Sequence, residues 1–198
     1  MSAASGCNSG NSNAGFLCAD LTPQPVSDDM TYGFAIEVGG DNSASSQSCC
    51  KCYELEWLTG AAADLNRKMT VQIMTPGQAA GNITAGDIII LTPGGGTGPL
   101  GNTGCRRQFG NNFDWYVIVL LSDQLPKMNF LTFSSSRGPQ YGGITARADC
   151  EKLPPNLQGG CYWRFNWAGG VINGWDIVYK QVECPYRLQQ ISGCAAKL

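Results

Sequence analysis

Apolar residues alternate with polar ones, or gather in β-branched runs, over short stretches separated by Gly, Pro and Asn. The stretches are Thr31–Val38, Cys52–Trp57, Met69–Met74, Asp87–Leu91, Cys161–Trp167 and Asp176–Cys184. Side chains of a strand alternate between its two faces, so each stretch reads as a strand. Within Cys161–Trp167 the same period turns Trp163, Phe165 and Trp167 inward. About six short strands bounded by turn residues predict a small β-barrel or sandwich. Two short helices complete the picture: one around Thr145–Lys152, and Pro185–Ser192, which has Pro in its first turn and Gly193 as a stop. There is no internal repeat and no long linker, so residues 1–198 form a single domain.

Residues 116–137 break this texture, being apolar and free of Gly. An extra strand plus loop is the plain account. The codons offer another. Trp115-Tyr116-Val117 must be encoded with GTAYGT, the start of a fungal-type intron. Leu131-Thr132 can supply a branch-point sequence, and Ser136-Arg137 a terminal CAG. The segment is therefore expected to be a translated intron, whose removal would join Trp115 to Gly138.

Composition narrows the function. At 198 residues, 43% hydrophobic and 14% charged, the chain is long and apolar enough to bury a core. A net charge of -2 excludes nucleic acid as a partner, because phosphate binding needs clustered Lys and Arg. No apolar run approaches the roughly 18–20 residues needed to span a bilayer. Ten cysteines point to an oxidising compartment and a disulfide scaffold. The first residues, MSAASGCNSGNS, nevertheless have neither the basic start nor the apolar core of a signal peptide. Either the cysteines serve another purpose or the start of the chain is missing. The absence of histidine removes Ser-His-Asp and Cys-His chemistry and every His-containing zinc site. Acid–base work falls to carboxylates, with Tyr or Lys as candidate helpers.

The cysteine cluster SCCKCYELEW holds Cys49, Cys50 and Cys52. Zinc would need a second paired motif, which the chain lacks, so no metal is expected. On a strand Cys50 and Cys52 would share one face and Cys49 the other. Trp57, Trp115, Tyr141 and Trp175 lie nearer turns and are candidates for exposed contacts with sugar rings. The Gly-rich stretch Thr92–Cys105 lacks the ending of a phosphate loop. Asn82-Ile83-Thr84 is a glycosylation sequon, with Asn82 as acceptor.

In order along the chain, TPQPVSDDMTYGFA, SCCKCYELEW, KMTVQ, PGGG, QFG, YGGI, GCYWRFNW and QVECP resemble the endoglucanases of glycoside hydrolase family 45. The resemblance runs from about Ser5 to Cys194 and implies a mainly β fold, a six-stranded double-psi β-barrel with long disulfide-linked loops and a few short helices. It implies a secreted, extracellular, monomeric enzyme that needs no cofactor. Such an enzyme cuts internal β-1,4 bonds of glucan polysaccharide by inversion between two carboxylic acids. The family's base lies in a motif like TRYWDCC, which has no counterpart here, so the chain is expected to be incomplete at its N-terminus and impaired. The family's acid lies a few residues before PGGG. Its nearest counterpart is Asp87, two residues further from Pro93 than in the family. Tyr141 matches a family tyrosine beside the cleft, placed to contact the sugar, while Gly94, Gly95 and Gly96 are candidates to let backbone approach a bound chain or to make tight turns. The family's pairing, carried over, joins Cys50 to Cys194, Cys52 to Cys184 and Cys150 to Cys161. It leaves Cys7, Cys18, Cys49 and Cys105 orphaned. The alternative is a non-catalytic, expansin-like barrel that binds or loosens wall polysaccharide.

Overall fold

The computed structural model describes Cys7 and residues 21–39, 47–78, 84–94, 118–122, 144–170, 172 and 174–195. Strands β1 (Gln24–Pro25), β2 (Met30–Gly39) and β3 (Cys52–Trp57) lead to a short helix α1 (Ala61–Asp64). Next come β4 (Lys68–Gln78), β5 (Ile88–Ile90) and β6 (Ile118–Ser122). A 3-10 turn at Arg147–Lys152, helix α2 (Pro155–Asn166), β7 (Trp175–Val182) and helix α3 (Tyr186–Ser192) follow.

Hydrogen bonds join β2, β4, β3, β7, β6 and β5 in that order, and β5 pairs back onto β2. The sheet thus closes into a ring of six strands, which leaves few free backbone groups at its edges. β1 shares one edge of β2 with β5, β1 at Thr31–Tyr32 and β5 at Ala35–Glu37. The β2–β4 and β6–β7 pairs are parallel and the other ring pairs antiparallel.

Both faces of the ring are covered, and the sequence shows it. Ile88 and Ile90 enter one buried cluster with Ala35, Leu55, Val71 and Ile177, while Ile89 joins Phe34, Ile36, Val38 and Leu188 in another. A strand buried on both sides reads as a continuous apolar run, which is why β5 is a run of isoleucines. In β4 the register slips opposite Ala35/Ile36. Neighbouring Ile73 and Met74 go to opposite clusters, as alternation along a strand requires.

Several readings of the sequence are corrected. Cys161–Trp167 is no strand: Cys161–Asn166 is the second half of α2 and Trp167 its C-cap. Trp163 and Trp167, four apart, stack at 5.5 Å with planes 14° from parallel. Helical spacing places them on one face, whereas Phe165 is only half-buried. Pro155 at the first turn starts this helix. Trp57, expected near the surface, is 3% exposed and meets Trp167 edge-on at 5.9 Å. Cys50 does not share a strand face with Cys52, because its φ of 63° forms a turn before β3 opens at Cys52.

Disulfides join Cys50 to Cys194, Cys52 to Cys184 and Cys150 to Cys161. A fourth joins Cys7 to Cys49, so these two are not orphaned. The turn at Cys50 brings Cys49 to a Cα–Cα distance of 5.4 Å from Cys7, within bridging range. Cys18 and Cys105 lie outside the described residues. So does the expected insertion 116–137 apart from β6, whose backbone is part of the ring.

Candidate active site

Asp87 stands where the chain turns into β5. Thr84 to Asp87 form a tight turn, with Asp87 N–H donating to the Thr84 carbonyl at 3.2 Å. Gly86 adopts φ 92°, a conformation that favours glycine. Gly86 N–H donates to the Val38 carbonyl at 2.7 Å, and Val38 N–H to the Asp87 carbonyl at 2.9 Å. Two residues therefore face one, a bulge opened by a left-handed glycine. Such bulges sit at barrel rims and re-aim the next side chain. The Asp87 carboxylate accepts from Thr84 N–H at 2.8 Å and from the Thr84 hydroxyl at 3.4 Å, and the residue is 2% exposed.

Glu37 lies one position away across the ladder, opposite Ile88. Tyr53 of β3 and Tyr179 of β7 meet edge to face at 5.5 Å. Burial pushes the Tyr53 phenol up to about 12, with help from the charge of Glu37 and from Tyr179. Burial likewise raises Tyr179, helped by Glu37 and then Asp87. Both hydroxyls thus remain protonated donors through the neutral and acid range. Two carboxylates and two neutral phenols therefore share a neighbourhood. The sequence offered a partial signal, since Tyr53 and Tyr179 sit on predicted strands, but only ring closure brings those strands together with Glu37 and Asp87.

Beyond β5 the chain reaches Pro93 and Gly94. Gly94 has φ 76°, and a Cβ there would stand 3.1 Å from both Cys161 Sγ and Ile144 Cδ1. Close packing and backbone angle both require glycine. The Gly94 carbonyl accepts from Ile144 N–H at 2.8 Å and from the Arg164 guanidinium. Gly95, Gly96, Tyr141, Trp115 and the sequon residue Asn82 lie outside the described residues. Trp175 is partly buried against the ring's first cluster. The sulfurs of Cys49, Cys50 and Cys52 are all in disulfides, so none is a thiolate able to bind zinc.

The entry to β5 thus brings together a buried carboxylate, two neutral tyrosines nearby and a glycine turn beyond the strand. The family described as glycosyl hydrolase family 45 matches residues 1–120 and 121–195. A Fusarium oxysporum protein described as an endoglucanase of type K is 34% identical over 97% of this chain and 42% of its own length. An endoglucanase of Cryptopygus antarcticus is 32% identical over 96% of this chain and 69% of its own. The crystal structure of a cellulase from that Antarctic springtail superposes with a TM-score of 0.67 at 30% identity, covering 96% of this chain and 75% of that one. The chain belongs to glycosyl hydrolase family 45. It spans less than half the length of the Fusarium relative.

Proposed function

We propose that this chain is the barrel of a secreted, monomeric endo-β-1,4-glucanase that works by inversion, with Asp87 giving its proton to the leaving glycosidic oxygen. The observation that carries the reading is the family match along the chain, combined with a buried carboxylate just before the strand that leads toward Gly94. Two parallel pairs within an otherwise antiparallel six-strand ring support a double-psi barrel. The disulfides support extracellular work. Gly94, Gly95, Gly96 and Tyr141 would line the glucan path.

Inversion also needs a carboxylate that activates water from the opposite face. No segment of this sequence resembles TRYWDCC. A general base typically contributes about 10²–10⁴ in rate. The 198 residues alone should therefore depolymerise carboxymethylcellulose that much more slowly than the same residues preceded by a TRYWDCC-like segment. Viscosity should fall ahead of the rise in reducing ends, as internal cutting requires. Equal, vigorous rates for both forms would overturn the assignment of the base. The expansin-like alternative draws on one observation, that the Asp87 carboxylate is buried and held by Thr84. It predicts glucan binding with no hydrolysis by either form.

A further inference from the structure

We propose that Arg164 is a positioning residue for glucan binding, acting through the carbonyl groups of Gly94 and Ile144. The inference rests on the glucanase reading and extends it to a side chain remote from Asp87 in sequence. Arg164 lies on α2 and is 2% exposed. Its Nη1 donates to the Gly94 carbonyl at 2.5 Å and to the Ile144 carbonyl at 3.1 Å. Ile144 N–H also donates to Gly94, so three groups converge on one turn. The guanidinium carbon lies 5.3 Å from the centroid of the Phe165 ring.

A buried guanidinium is costly unless it is paired. Among the described residues no carboxylate forms an ion pair with Arg164, and its Nε has no hydrogen-bond partner. Burial pulls it down to about 10, so it stays charged at neutral pH. Folding alone gives little reason to keep such a charge, because an apolar side chain of similar volume would fill the space. The two carbonyls it holds supply the reason. Gly94 is the second residue of PGGG and Ile144 the last of YGGI, the two stretches on which the glucan reading relies. Gly94 and Ile144 meet beside α2, where a Cβ on Gly160 would stand 2.6 Å from Pro93 Cδ. Arg164 thus fixes the direction of the chain as it enters one motif and as it leaves the other. Both bonds leave Nη1, whose two N–H groups serve two acceptors at once from a planar, pre-organised group.

The test is calorimetric binding of cellohexaose to the 198-residue chain and to its Arg164→Met and Arg164→Lys variants, with thermal melting alongside. Loss of two charge-assisted hydrogen bonds should weaken binding by Arg164→Met about tenfold or more. The melting temperature should barely change, because relief of the buried charge offsets the lost bonds. Arg164→Lys should recover part of the affinity. Equal affinity in wild type and Arg164→Met overturns the inference and leaves the glucanase reading intact. A fall in affinity matched by a fall in melting temperature, with no recovery by lysine, makes Arg164 merely structural and also overturns it. Failure of the wild type to bind overturns the glucanase reading, and the inference with it.

Discussion

Asp87→Asn, made in the chain preceded by a TRYWDCC-like segment, should cut sugar release from carboxymethylcellulose by about 10²–10⁴. The substitution keeps size and shape and removes the transferable proton. Asparagine retains a carbonyl oxygen that can accept from Thr84 N–H, the bond the carboxylate accepts at 2.8 Å. The bulge at Gly86 should survive, and the melting temperature with it. A second substrate separates chemistry from structure. A dinitrophenyl cello-oligosaccharide has a leaving group that departs without protonation, so its cleavage should fall far less. If both substrates lose activity equally, Asp87 is not the proton donor. If neither does, the carboxylate only closes the turn.

Removing Cys50–Cys194 and Cys52–Cys184 together should unfold the protein, although either loss alone should be survivable. The two bridges are nested. Cys50 lies two residues before Cys52, and Cys194 lies ten after Cys184. With one bridge in place, the other closes only a small ring, and in the chain-entropy account such a ring is worth about 3 kcal/mol. Once one is gone, the survivor constrains a separation of 132 or 144 residues and is worth about 5 kcal/mol. Each single Cys→Ala pair should therefore cost about 3 kcal/mol and the double removal about 8, against a typical total of about 5–15. Gln72 ties the same region from within, its Nε2 donating to the carbonyls of Cys50 at 3.1 Å and Cys194 at 2.7 Å. Denaturant titration of the three variants measures the costs. Strict additivity would place the stabilisation in local contacts and not in chain entropy.

Sequence periodicity revealed the ring wherever burial alone decides structure. Cys52–Trp57 is a strand with the limits that alternation predicted, and Thr31–Val38 lies wholly within β2. The short helix before Gly193 was equally visible, from Pro185 and that glycine. Cys161–Trp167 misled because its aromatic residues favour strands and their positions fit a period of two as well as they fit a helix. Pro155 carried the deciding signal, six residues upstream of Cys161. At the candidate site, the family resemblance proposed Asp87 from its place before PGGG, but the bulge that aims its side chain was not legible. That bulge depends on Val38, nearly fifty residues earlier. Glu37, Tyr53 and Tyr179 escaped for the same reason: each sits on a different strand, and strand pairing that the sequence does not reveal brings them together.

The most direct test is proton NMR of cellopentaose during the first turnovers of the chain preceded by a TRYWDCC-like segment. Single displacement at a β-1,4 bond by water must release the new reducing end as the α-anomer, with the β form appearing only later by mutarotation. That order of appearance is the expected result. A β-anomer released first would show retention, which two carboxylates spaced around a water cannot produce, and would contradict the mechanism assigned to Asp87.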